Sequence, residues 1–165
     1  DVVYVYDPAA DAWREGTPME TARREAGAVA LVDKIVVLGG RNESGALKEA
    51  VGYFPSRDAN GESPWEGFID LPEARYGFGV ANVSDTLYII GGELEEDATD
   101  EPLGLVLFES AWDVLGLELG QNFQSPRLIA VGSLLYAINT GEDHGMTQIW
   151  SYKAFYYEIF LPIVQ

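Results

Sequence analysis

The sequence predicts an all-β protein: repeated blades of four antiparallel strands, forming part of a propeller. Three observations carry the prediction. Arginines stand at Arg23, Arg75 and Arg127, each 52 residues from the next. Each follows a proline-containing turn: Pro18-Met19, Leu71-Pro72 and Ser125-Pro126. Each precedes two short apolar runs, the second reading Ile35-Val36-Val37-Leu38-Gly39-Gly40, Leu87-Tyr88-Ile89-Ile90-Gly91-Gly92 and Leu135-Tyr136-Ala137-Ile138-Asn139-Thr140. A period of about 50 residues with this content marks a repeat architecture.

The elements follow in order. Val3-Tyr4-Val5-Tyr6-Asp7-Pro8 and Trp13 supply two strands of a half blade over 1–22. Complete blades are expected over 23–70, 75–118 and 127–164. Within each, β-branched and aromatic runs bounded by turn residues read as strands. The first strand lies over 26–32, 77–83 and 128–132, and the second ends at the glycine pair. The third carries an aromatic, over 50–54, 105–108 and 148–152. The fourth carries or follows a tryptophan, over 65–70 and 112–117; the last copy has Tyr156 and Tyr157 there, before 158–164. Val32-Asp33-Lys34-Ile35 and Val83-Ser84-Asp85-Thr86 read as tight hairpins between first and second strands. The best helical candidate, 98–118, contains Gly104 and Gly116 and is β-rich, which argues against a helix.

Composition narrows the class. The chain has 165 residues, 47% of them hydrophobic, enough for one domain with a core. Acidic residues outnumber basic ones 27 to 10, for a net charge of -17. Such a field disfavours nucleic acid and anionic membrane, which require cationic partners. There is no cysteine, so disulfides, thiolate nucleophiles and Cys-ligated zinc are excluded. No apolar stretch reaches the roughly 18 residues of a membrane span. The chain opens on Asp1 without a signal peptide, so a processed or truncated product is expected.

The ordered set of a double glycine closing the second strand, an aromatic on the third and a tryptophan on the fourth resembles the kelch repeat. Tyr6 and Trp13 resemble the third and fourth strands of one copy. Gly39, Gly40, Tyr53 and Trp65 complete the next; Gly91, Gly92, Phe108 and Trp112 complete the one after. The last copy departs, with Asn139-Thr140 for the glycine pair and tyrosine for tryptophan. The segment 157–165 is similar to the endings of exported kelch-type proteins of filamentous green bacteria. That likeness implies an extracellular or cell-surface location, with the cytoplasm as the alternative. Three and a half blades do not close a ring of about four to eight. The expectation is a piece of a larger propeller, copies that associate, or an open arrangement.

The glycine pairs read as backbone positions needing positive φ and close approach of a neighbouring blade. No phosphate-loop pattern follows them. Trp13, Trp65 and Trp112 are expected to wedge between blades, each burying roughly 150–250 Å², or else to offer a stacking platform for sugars. The up-and-down strand order brings Arg23, Arg24, Arg75 and Arg127 to the same rim as Arg41, Asn42, Glu93 and the Asn139-Thr140-Gly141 turn. The resemblance implies that this rim binds a ligand, with arginines contacting acidic groups; the alternative is arginine bonding to loop carbonyls. The acidic stretch 93–101 holds six carboxylates in nine residues. It lacks an ordered calcium-loop spacing and reads as a solvated loop, as does the turn over 58–62. His144 is the single histidine and reads as a loop residue; no triad pattern supports it.

Three function classes remain. The first is a non-enzymatic binding module for a protein or glycan, with no cofactor and no metal. The second is a structural or assembly component, since uncovered blade faces and a β-rich C-terminal segment favour pairing. The third is part of a carbohydrate-active kelch enzyme. A copper oxidase needs Cys and several His, which this composition lacks; a sugar epimerase built on Arg, Glu and Asp is not excluded.

Overall fold

A computed structural model describes residues 2–94, 102–107, 109–117, 125–140 and 147–154. The elements in chain order are β1 (Val3–Asp7), β2 (Ala12–Gly16), β3 (Gly27–Ala30), β4 (Ile35–Leu38), β5 (Arg41–Asn42), β6 (Gly45–Ala46), β7 (Ala50–Tyr53), α1 (Pro55–Ala59), β8 (Trp65–Gly67), β9 (Gly79–Val83), β10 (Thr86–Ile90), β11 (Leu103–Val106), β12 (Asp113–Val114), β13 (Arg127–Val131), β14 (Leu134–Thr140) and β15 (Thr147–Lys153). The strands form antiparallel sheets ordered β1-β2, β3-β4-β7-β8, β9-β10-β11-β12 and β13-β14-β15, with β5-β6 a small separate ladder. This is the expected all-β arrangement of propeller blades, with no closed ring among the described residues.

Side-chain alternation packs one blade on the next. Val36, Leu38 and Ala50 meet Phe78, Ile89 and Leu103, with Trp112 and Phe68 against them. Ala81, Val83 and Tyr88 meet Leu135, with Leu128 and Tyr152 alongside. Both faces of β10 are therefore buried along its whole length, which explains its apolar run over Leu87–Ile90. Each sheet buries its apolar face only by contact with a neighbour.

Two tryptophans join sheets in sequence order. The Trp65 indole N–H donates to Thr17 O at 3.0 Å, and the Trp112 indole N–H to Ile69 O at 3.3 Å. Trp65 lies on Tyr53 with centroids 4.9 Å apart. Trp13 behaves differently: it lies on Tyr6 at 5.1 Å but is 68% exposed, because no described sheet covers that side. Phe108 lies outside the described residues. The strand expected to carry it, over 105–108, is placed at Leu103–Val106, and Leu105, opposite Leu87, takes the place that Tyr53 holds opposite Ile35.

The short turn α1 sits between β7 and β8. The sequence alone reads residues 58–62, which overlap its end, as a solvated turn. Its Asp58 carboxylate instead accepts from Arg14 Nη1 at 2.8 Å, Thr17 N at 3.0 Å, Thr17 Oγ1 at 2.6 Å and Tyr53 Oη at 2.7 Å. Those donors hold its pKa well below the usual carboxylate range. Asp58 thus fastens the β1-β2 sheet to the blade that follows it.

Candidate functional site

The rim is made by the glycine pairs. Gly39 and Gly40 have φ of 53° and 93°, and Gly91 and Gly92 have 69° and 99°, conformations that glycine adopts without a Cβ penalty. A Cβ on Gly40 would stand 2.8 Å from Arg24 O, and one on Gly92 2.7 Å from Tyr76 O. The left-handed turn carries the chain into a second bridge at the end of each blade. Arg24 and Arg41 exchange N–H···O bonds at 2.9 Å each; Tyr76 and Glu93 do so at 3.1 and 2.8 Å. Adjacent blades are tied there by Gly40 N to Arg75 O and Gly77 N to Glu25 O, both 2.9 Å.

The arginines separate into distinct environments. Arg23 Nη1 donates to Gly39 O at 3.0 Å and Glu49 O at 2.8 Å, and desolvation lowers its pKa. Arg75 repeats the contact sixteen residues on, with Nη1 donating to Gly91 O at 3.4 Å. It is 2% exposed, so its guanidinium lies within the fold rather than on the open rim. Arg127 is placed differently again. Gly27 pairs with Leu38, Gly79 with Ile90 and Arg127 with Ile138. Arg127 therefore matches Gly79 in register, not Arg75, and the equal spacing of 52 does not carry into the last blade. Its exposed side chain opens β13.

Arg23, Arg24, Arg41 and Asn42 do come together. With Glu20 and Glu43 they line an open depression of about 570 Å³. Arg41 grips Glu25 through Nε and Nη2, each at 2.8 Å, and its guanidinium lies 4.4 Å from the Tyr76 ring centroid. The Glu25 hydrogen bond raises the Arg41 pKa. The Tyr76 hydroxyl donates to Glu93 Oε2 at 2.7 Å, which raises the tyrosine pKa. Arg24 Nε is 3.9 Å from Glu25, and its side chain is 65% exposed. The Asn42 carbonyl accepts from Ser44 N at 2.8 Å, which orients its amide. The result is a line Arg24–Glu25–Arg41–Tyr76–Glu93 across two blades.

This arrangement offers planar cationic donors to a carboxylate or carbonyl. Sequence reading missed Glu25 and Tyr76; the signal was present, since Tyr76 stands 52 residues after Arg24 and Glu93 52 after Arg41. Glu93 opens the acidic stretch, of which 95–101 lie outside the described residues, as do Gly141, His144, Tyr156, Tyr157 and the segment 157–165. Among the described residues no cluster of three or more acidic or His side chains is placed to hold a metal ion. No helix among them is long and apolar enough to cross a membrane.

No family model matches the chain. Kelch-like protein 26 of Danio rerio is 28% identical over 151 residues, covering 87% of this chain and 23% of that protein. Kelch-like protein 41b of Danio rerio is 31% identical over 112 residues, covering 67% and 17%. Kelch-like protein 36 of Bos taurus is 33% identical over 92 residues, covering 56% and 14%. The chain thus spans less than a quarter of each of these relatives. Its glycine-pair turns, the indole bonds from one sheet to the next and the packed four-stranded sheets, taken with these likenesses, place the chain among the kelch-repeat β-propellers.

Proposed function

We propose that the chain is a non-enzymatic protein-recognition module that engages acidic groups of its partner at the rim depression. The observation that carries this reading is the convergence of Arg24, Arg41 and Asn42 on one open surface, in a chain of net charge -17. Arg23 shapes the floor by holding the Gly39 turn, Arg24 presents its exposed guanidinium, and Arg41, whose Nε and Nη2 Glu25 holds, presents its remaining donors. Cations concentrated on one rim of an acidic protein select locally for carboxylates while the overall field repels unselective anions. The kelch-like relatives support a repeat scaffold of this kind. Arg127, exposed at the start of β13, extends the proposed face only where a partner reaches the last blade.

The test is fluorescence anisotropy with a panel of labelled Asp- and Glu-containing decapeptides. A binding member of the panel is expected to lose at least tenfold in affinity in Arg24→Ala/Arg41→Ala, and little in Arg127→Ala. Equal affinity in the double variant overturns the reading, as does a panel with no binder at millimolar peptide.

A further inference from the structure

Glu25 occupies a backbone position suited to glycine. Its φ is 55°, in the left-handed region where a Cβ is disfavoured. The matching place in the next blade, 52 residues on, is Gly77 with φ 68°. Gly77 N donates to Glu25 O at 2.9 Å, so the two turns meet where the blades join. Among the described residues, the other non-glycines with positive φ are Asp11 and Ser84. Both are short polar residues in the turns between β1 and β2 and between β9 and β10, where such a φ is common. Glu25 stands instead on the rim, ahead of β3.

Its side chain supplies a reason. Arg41 Nε lies 2.8 Å from Glu25 Oε2, and Arg41 Nη2 donates to Oε1 at 2.8 Å. Two carboxylate oxygens on one guanidinium edge are the geometry in which arginine takes up an acidic ligand. Tyr76 holds the same guanidinium from its face, at 4.4 Å, and Arg24 Nε is 3.9 Å from Oε1. In the next blade the places of Arg24 and Arg41 hold Tyr76 and Glu93, and there the left-handed residue is glycine. The carboxylate thus replaces glycine in the blade that carries the two arginines. The Arg41 and Glu25 side chains are 36% and 39% exposed, so the pair contributes little to folding and no packed core opens when it parts.

Given the rim as a site for acidic groups, we propose that Glu25 is a resident carboxylate that fills the Nε–Nη2 edge of Arg41 until a carboxylate of the partner protein displaces it. The strained turn is kept for that occupancy. Binding at Arg41 is then an exchange of one carboxylate for another. Apparent affinity falls by the fraction of time the edge is already filled, and that competition sets the threshold an acidic partner must pass.

The test is fluorescence anisotropy with the labelled Asp- and Glu-containing decapeptides on wild type, Glu25→Gly, Arg41→Ala and Glu25→Gly/Arg41→Ala. Glu25→Gly is expected to bind at least about threefold tighter than wild type. In the Arg41→Ala background the same substitution is expected to bring no gain, because its effect passes through that guanidinium. Peptides that bind Glu25→Gly and not wild type also support the proposal. Wild-type binding with a smaller gain in Glu25→Gly overturns it and leaves the rim reading standing. A gain of equal size without Arg41 overturns it as well, since loss of a negative charge then accounts for the change. No binding to either protein at millimolar peptide overturns both. Where Glu25→Gly loses its folded far-ultraviolet spectrum, Glu25→Gln makes the same comparison.

Discussion

Replacing Asp58 with alanine tests how the β1-β2 sheet is held. The carboxylate, with its side chain 3% exposed, serves Arg14, both donors of Thr17, and the Tyr53 hydroxyl. The effects differ by donor. Tyr53 is 4% exposed, so its stranded hydroxyl costs about 1–3 kcal/mol. The Arg14 side chain is 44% exposed and turns to water, so its loss adds little. Thr17 is exposed and finds water for both donors. The cost is therefore roughly 1–3 kcal/mol, or about 0.5–1.5 M in urea midpoint for a slope near 2 kcal/mol/M. Asp58→Asn keeps an acceptor for Thr17 and loses the ionic contact, so it falls between wild type and alanine. The assay is urea unfolding followed by tryptophan fluorescence. The pH dependence has a definite sign: the folded pKa is depressed, so the stabilisation is complete above the unfolded value of about 3.9 and is lost as pH falls below it. The gap between wild type and Asp58→Ala should be constant from pH 5 to 8 and close in acid. A midpoint shift under about 0.3 M at pH 7, or a gap that widens in acid, refutes the reasoning.

Two further perturbations follow from the same geometry. Gly40→Ala forces a Cβ to 2.8 Å from Arg24 O at φ 93°, and should cost at least about 1–3 kcal/mol by thermal unfolding. A loss below 0.5 kcal/mol would mean that the rim turn relaxes freely. Burial, with the Asp58 hydrogen bond second, pushes the Tyr53 phenol up to about 12. Its stabilisation is complete below the ordinary tyrosine value near 10 and is lost as pH rises through about 12. Tyr53→Phe should therefore be less sensitive than wild type to alkaline unfolding over that window, as followed by circular dichroism. Identical alkaline midpoints would count against the placement of this phenol.

Much of the fold is legible in the residues because blade identity is local. The Gly39-Gly40 and Gly91-Gly92 pairs report backbone conformation directly. Trp65 and Trp112 each follow a strand at the expected place, and β-rich runs mark β4, β7, β9 and β10. The site is legible where strand order alone decides it: Arg24, Arg41 and Asn42 share one depression because the start of the first strand and the end of the second lie on the same side of one blade. Reading fails where register departs from spacing. Arg127 falls 52 residues after Arg75, yet hydrogen bonding aligns it with Gly79, four residues further into the blade. Asp58 gives no sign of its role, because Thr17 and Arg14 are 41 and 44 residues away.

The sequence by itself determines the all-β class, the four-strand repeat and the lopsided charge, because alternation, turn glycines and composition are properties of short segments. The tertiary structure alone decides which arginines face solvent. Arg75 is enclosed by its neighbours while Arg24, one residue past the matching Arg23, stands open. It likewise decides that Trp65 joins two sheets and that Trp13, with the same ring pairing, stays uncovered. Burial is set by what lies across an interface, and a single blade carries no record of its neighbour.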